Sequence, residues 1–522
     1  MAGLILLSAV SIISCKTQVN YISTEKIAPL EAPFDMPQLE RPAFSNAVFD
    51  IIDFGAKAVK DFNNAGAINK AIKTCTSKGG GHVIIPKGEY YTGPLILQSN
   101  VNLHLGNDAV LTFLPDPMLH TEVVLQRYEG TEIMNIQPFI YARDCDNIAI
   151  TGLGTINGPG EVPWKKNLHI AGNKEGSGIL GDITIEEEGG KRWKQNAQLM
   201  ENYSNVLPVE KRDVSKSYSV LPSLIHLVGC NNVLLEGFKV GECGPKWTIH
   251  PTYCKNVIIR RIASTFSGHS SDAIDIDSST EILVEYCDLS SGDDLVVIKS
   301  GTNEDGWRVN KPTKNVIVRH INAFTDTSSD DGIDNAVFSL GTEISGGVNN
   351  VYFHDINVVA RLFPFRIKSR PGRGGVVQNL TVENLNYGLQ GSPHTPWITN
   401  EQLKPTGSVC DPLISITNSY RPLRKSYDFE KRTVYKDITF RNIYATKAKV
   451  GIYIEPEIAN EFQNIVIEDV TIDECKSPLT IHSDAQITLK NYKVAGRNVT
   501  EADNEDSYIS NKSYRFKKRR KK

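Results

Sequence analysis

Residues 255–261 read KNVIIRR and residues 314–320 read KNVIVRH. In both, a polar turn-forming residue stands just before a short run in which apolar side chains dominate. The outline returns as DNIAITG (146–152), NNVLLEG (231–237), TEILVEY (280–286) and NNVYFHD (349–355). It continues as QNLTVEN (378–384), KDITFRN (436–442) and QNIVIED (463–469). The turn residue is Asn, Asp or Glu at 147, 232, 256, 281, 315, 350, 379, 437 and 464. Most intervals between these positions run from 24 to 35 residues. Each unit therefore reads as a short strand entered through a polar corner.

A repeat of this length with one to three short strands per unit indicates stacked coils, because no single coil can bury its own inward face. The pattern predicts an all-β chain, a single-stranded right-handed parallel β-helix. The asparagines are expected at turns, their amides bonding to copies on neighbouring coils. A propeller would need a period of about 40–50 residues and aromatic–Asp signatures, which the sequence lacks. The 58-residue interval before Asp437 has room for two coils, and the 85-residue interval before Asn232 holds a charged insertion at roughly 160–220. Segment 388–434 has a similar insertion-like composition.

Ahead of the repeats, Ala67, Ile68, Ala71, Ile72 and Cys75 share one helical face after Asn63 and Asn64, and Gly79-Gly80-Gly81 ends the pattern. A lone amphipathic helix beside strands suits an N-terminal cap over the open end of the β-helix.

The chain has 522 residues, 40% of them hydrophobic, and a net charge of −3. That composition fits a globular protein and gives no basis for a nucleic-acid partner. Residues 1–15, MAGLILLSAVSIISC, read as a signal peptide whose Ile12-Ile13-Ser14-Cys15 resembles a lipobox. Cys15 is then the lipidation site and the only membrane attachment, with an ordinary secreted signal as the alternative. The expected organisation is a tether over 16–45, a catalytic β-helix over 46–500 whose cap region is 46–120, and a basic tail over 501–522. That tail ends in six consecutive Lys or Arg and reads as solvated and disordered. Cys145, Cys230 and Cys254 each precede a turn Asn by two residues and read as small buried hydrophobes. No spacing suggests zinc or a nucleotide, and nothing specifies an oligomeric state.

Two acid-rich stretches interrupt this economy: SSDAIDIDSST (270–280) and SGDDLVVIKSG (291–301). Asp272 precedes Asp293 by about one coil, so stacking at ~4.8 Å puts their carboxylates on neighbouring rungs. Asp294 joins the patch if the backbone turns at Gly292. Clustered carboxylates repel, which separates their pKa values and can keep one proton near neutrality, as glycoside hydrolysis requires. Calcium ligation and plain solvated turns are the competing readings of the spacing.

SSDAIDIDSS followed by SGDDLVVIKSG resembles the N-T-D-G-x-D and G-D-D segments of family 28 glycoside hydrolases, the polygalacturonase-like enzymes of bacterial type. FGAKAVKDFNNAGAINKAI, SNVNLHLGNDAVLTF, RYEGTEI, WTIHPTYCKNV, NEDGWRV, LGTEISGGVNNVYF and FRIKSRPGRGG carry the likeness over roughly residues 50–480. The resemblance implies inverting hydrolysis of α-linked, uronate-containing polysaccharide without cofactor or metal. It makes Asp293 the general acid, with Asp272 and Asp294 orienting and deprotonating the water. Arg366 and Lys368 match a uronate-gripping R-I-K, and an i, i+2 spacing puts both cations on one strand face. Glu343 of LGTE joins the candidate substrate-binding residues. Asn335 stands where the family has a histidine, Ser270 replaces an asparagine, and His269 is the nearest candidate imidazole. Segment 325–334 is unusually acidic. A calcium-dependent lyase and a glycan-binding β-helix without catalysis remain the alternatives.

Overall fold

A computed structural model describes residues 25–160, 207–215, 220–266, 268, 271–325, 335–360, 363–418, 420, 430–455, 461–482, 485 and 487–504. Cys15, His269, Ser270, most of the acidic 325–334 segment and residues 505–522 of the basic tail lie outside the described residues, whereas the tail's first residues, expected to be disordered, form the turn Glu501–Asp503 and bridge from Asn504 to Leu479.

Strands 146–152, 231–236, 255–260, 280–290, 313–323, 348–358 and 376–387 pair in parallel, each with the next. Two further parallel sheets complete each coil, so the chain is a right-handed parallel β-helix. One inward column reads Ile150, Leu235, Ile259, Val284, Val318, Phe353, Val382, Phe440 and Ile467 in register. All are essentially inaccessible, and each such side chain contributes roughly 1.5–3 kcal/mol by burial.

The nine turn residues foreseen at the corners all have left-handed backbone, with φ between 53° and 60°. Asn tolerates that conformation better than most residues, which is why it recurs there. Their amides form the expected ladder, with Asn256 donating to Asn232 (3.2 Å), Asn350 to Asn315 (2.8 Å) and Asn379 to Asn350 (3.0 Å). The 58-residue interval holds one coil rather than two: Gln378 pairs directly with Lys436. The 85-residue interval likewise spans a single coil, since Asp146 pairs directly with Asn231.

Helix Ala65–Ser77 buries Ile68, Ala71, Ile72 and Cys75 against the first strands, and so caps the coil stack. Asn63 supplies the cap bond, accepting from Ala65 N (3.0 Å), whereas Asn64 bonds to the Lys57, Phe62 and Tyr91 backbones. Cys145, Cys230 and Cys254 are buried free thiols donating to backbone carbonyls.

Residues 25–45, read from sequence as part of a tether, are docked. Ile27 and Leu39 are buried on the outer face of the first sheet against Ala149, Leu234, Ile258, Leu283 and Ile317. Beside them Glu236, Arg260, Glu285 and Arg319 form an outward row of alternating charge in register. Arg41 grips Glu236 through both guanidinium nitrogens (2.7 and 2.5 Å), and Arg319 donates to Pro29 O (3.1 Å). Apolar side chains facing outward on these strands are what the segment covers.

Candidate active site

The third sheet carries strands 249–252, 274–277, 296–299, 336–340 and 363–368 in parallel succession. Within it Ile274, Ile276, Val296, Ile298, Phe338, Leu340, Phe365 and Ile367 point into the core. Alternation therefore turns Asp275, Asp277, Lys299, Ser339, Arg366 and Lys368 outward. The register Ile249–Ile274–Val296–Phe338 fixes the corner before these strands. Two residues earlier it aligns Trp247, Asp272, Asp294 and Ala336; one residue further back it aligns Lys246, Ser271, Asp293 and Asn335. Backbone bonds from Thr248 N to Asp272 O (2.9 Å) and from Ala273 N to Asp294 O (3.0 Å) lock the alignment.

Asp272 and Asp294 thus stand on adjoining rungs, and Asp293 lies beside Asp294 on the turn. Gly292 makes this turn feasible: a Cβ there would lie 2.1 Å from Gly268 backbone atoms. Asp293 is half-buried, whereas Asp272 and Asp294 are buried. Asn335 is drawn to the same corner, where its amide donates to Gly292 O (2.5 Å). The next residue's N–H, Ala336, donates to Asp294 Oδ1 (2.8 Å). The amide at the family's histidine position therefore braces the acid-bearing turn.

Charge in the cluster is divided. Burial would raise the Asp294 pKa, but the Lys368 ammonium at 2.6 Å, the Ala336 N–H and Arg366 hold it well below the ordinary value. Asp272 goes the other way: burial, then Asp275, push it well above the carboxylate range. Burial also raises Asp275, to about 7, against the pull of Lys299 at 3.4 Å. Burial therefore favours the protonated forms of Asp272 and Asp275, while Asp294 is held ionised. Environment alone favours a proton on Asp272, whereas Asp293, half-buried on the same turn, is the most accessible of the three carboxyls.

Lys299 Nζ is the hub beneath them, 3.1 Å from Glu343 Oε2, 3.8 Å from Asp272 Oδ2 and 4.0 Å from the Trp247 ring centre. Burial opposes Glu343's ionisation, yet Lys299, Arg373 and Arg370 keep its pKa well below normal. Glu343 accordingly supports the hub. Arg366 lies over Phe363 (4.3 Å) and Tyr420 (5.0 Å), and its buried Nε has no hydrogen-bond acceptor among the described residues. Lys368, two residues on, faces the same Tyr420 ring (5.6 Å).

Asp277, which the calcium reading would require, is taken by Arg127 at 3.1 Å and lies 3.8 Å from His250. Among the described residues no group of three His, Cys, Asp or Glu is placed to hold a metal ion.

Sequence reasoning missed Asp275, Lys299, Trp247 and Lys246. Asp275 was legible in the alternation of DAIDID, since a charge between two inward isoleucines must face out. The partners of Lys246 were not, because Tyr128 and Glu129 come from a distant hairpin, Val123–Tyr128 with Thr131–Ile136.

Outward carboxylates on stacked rungs, with two cations on the following rungs, define a glycoside hydrolase built on a parallel β-helix. The chain belongs to the glycosyl hydrolases family 28, whose model matches residues 170–498. It is 27% identical over 432 residues to a probable polygalacturonase of Vitis vinifera, covering 81% of this chain and 73% of that one. It is 24% identical over 355 residues to an exo-poly-alpha-D-galacturonosidase of Dickeya chrysanthemi, covering 65% of this chain and 55% of that protein. Among solved structures, an exopolygalacturonase from Thermotoga maritima superposes with a TM-score of 0.73 at 28% identity, covering 88% of this chain and 94% of that one. A family 28 exopolygalacturonase from Yersinia enterocolitica shares the fold, with a TM-score of 0.60 at 20% identity and coverage of 87% and 80%.

Proposed function

We propose that the enzyme hydrolyses α-glycosidic bonds in a uronate-containing polysaccharide, polygalacturonan or a close relative, by single displacement with inversion. The observation that carries this is the Asp272–Asp294 column with Lys368 and Arg366 at its side. Asp293, on the accessible side of the turn, gives its proton to the leaving glycosidic oxygen. Asp272 orients the attacking water by hydrogen bonding, and ionised Asp294 takes the water's proton. In the empty site Lys368 makes Asp294 a poor base. A uronate carboxylate arriving at Arg366 competes for that ammonium and restores Asp294's basicity, so binding the right sugar prepares the base. Asn335 steadies the turn, and Glu343 acts through Lys299. His269, one residue before Ser270, remains a candidate substrate contact. Anchoring through a lipidated Cys15 belongs to the same proposal and is tested by incorporation of labelled palmitate, lost in Cys15→Ser.

The test is incubation with a panel of pectic and algal polyuronides, reading reducing ends and the anomer of the first-formed product by NMR. Hydrolysis with inverted configuration is expected. Retention, or an unsaturated product absorbing in the ultraviolet, overturns the reading.

A further inference from the structure

Beneath the acid column one ammonium faces three carboxyl groups. Lys299 closes the strand Val296–Lys299 and points outward, one rung after Asp272 and Asp275 and one rung before Glu343. Rungs are about 4.8 Å apart, so the lysine has acids on both sides along the stack. Its Nζ is 3.1 Å from Glu343 Oε2, 3.4 Å from Asp275 Oδ1 and 3.8 Å from Asp272 Oδ2. The Trp247 ring centre lies 4.0 Å from it, and Lys299 is only 5% exposed.

Glu343 is a fixed anion. Its Oε1 accepts from Thr342 Oγ1 (3.0 Å) and its Oε2 from Lys299. Its backbone O accepts from Ser300 N (2.6 Å), which locks it to the end of the Lys299 strand. It therefore competes with Asp272 for the same ammonium.

Asp272 is less securely charged. Burial and Asp275 oppose its ionisation most, and Lys299 is the strongest force in its favour; Asp294 opposes it further and Lys368 helps. Lys368 is engaged by Asp294 at 2.6 Å, and Lys246, on the rung before, by Glu129 at 2.9 Å. Single displacement asks Asp272 to be an acceptor. The attacking water has two hydrogens, and while one passes to Asp294 the other has to be held. An ionised carboxylate holds it by a charge-assisted bond, about twice as strong as a neutral one.

We infer that Lys299 is a positioning residue of the reaction: it keeps Asp272 as the anion that holds the attacking water, and Glu343 sets how much of its charge Asp272 receives. Both act through Asp272 rather than on the sugar. This rests on the hydrolase reading given above.

Substitutions at the two positions act with opposite sign. Lys299→Met removes the cation beside Asp272, so the anion forms only at higher pH. Glu343→Gln keeps the shape, removes the competing charge and leaves the ammonium to Asp272 and Asp275, so the anion persists to lower pH. The experiment is kcat/KM against pH on an oligouronide for the parent and both variants, with melting recorded beside it. The acid limb should move up by about one pH unit or more in Lys299→Met, the scale of a neighbouring charge, and down in Glu343→Gln. If Lys299→Met does not fold, Lys299→Met/Glu343→Gln, which strands no glutamate, replaces it, and its acid limb should also lie above that of the parent. Where neither variant lacking Lys299 folds, the Glu343→Gln limb alone decides. Limbs that stay in place, or that move the same way in both single variants, overturn the positioning role and leave the hydrolase reading intact. No hydrolysis of any polyuronide by the parent overturns that reading instead.

Discussion

The ammonium of Lys368 lies 2.6 Å from Asp294 Oδ2, on the same strand face as Arg366. One residue thus sets the charge state of Asp294, the proposed base, and stands where a uronate would arrive on that proposal. Replacing it with methionine removes the main force holding the Asp294 pKa down. Activity that needs ionised Asp294 is lost as pH falls, so the acid limb of the rate profile in Lys368→Met should move toward neutrality. KM for charged substrate should rise as well. An unmoved acid limb would detach Lys368 from the base.

Asp293→Asn keeps the shape of the turn and removes the transferable proton. A general acid is worth about 10²–10⁴ in rate, so kcat should fall by that range with unchanged circular dichroism and melting. Turnover near that of the parent would remove Asp293 from the acid role.

Asp275 is one of the groups that make stability depend on pH in this cluster. Its pKa rises from an ordinary 3.8 to about 7 on folding, mainly through burial. The folded state therefore favours the protonated acid, and this contribution is complete below about pH 4 and lost as pH climbs through 7. Asp275→Asn cannot suffer that loss. Its melting temperature relative to the parent should be higher at pH 8 than at pH 4.5, as read by calorimetry at both values. A difference that shrinks with rising pH contradicts a raised Asp275 pKa in the folded protein.

Asn335→Ala removes the bond to Gly292 and leaves the acids in place. The expected outcome is a kcat lowered about tenfold, the scale of ~1.4 kcal/mol of lost positioning, with KM nearly unchanged. A rise in KM alone would place Asn335 on the substrate.

Leu39→Ala tests the docked N-terminal segment. Leu39 is 3% exposed against the first sheet, and large-to-small substitution at such a site costs about 2 kcal/mol or more. Urea unfolding should show that loss. No change would mean that the segment is not held there in solution.

The coil repeat was readable because its cause is local. A left-handed corner favours Asn, and the strand after it must alternate, so 147, 232, 256 and their companions mark nine successive rungs without help from distant residues. The same arithmetic put Asp272 one rung from the Asp293–Asp294 turn but one residue out of register, since Asp294 and not Asp293 stands in its column. The Lys246–Glu129 pair and the docking of residues 25–45 could not be read that way. Glu129 meets Lys246 across 117 positions, and Arg41 meets Glu236 across 195. Neither contact leaves a periodic trace. The environment that raises the Asp272 pKa was equally hidden, since it depends first on burial and then on the neighbours Asp275 and Lys299.

A pile of coils that touch only their neighbours would be free to unzip rung by rung from either end. Residues 25–45 run crosswise over the pile, reaching from Ala149 to Ile317. Any rung in that span that loosens has to lift the same crossing strip from all the others. The rung of Asp272 and that of Asp294 belong to this bound bundle. Heating should therefore extinguish catalysis and secondary structure in one sharp event, with no inactive, half-wound survivor in between.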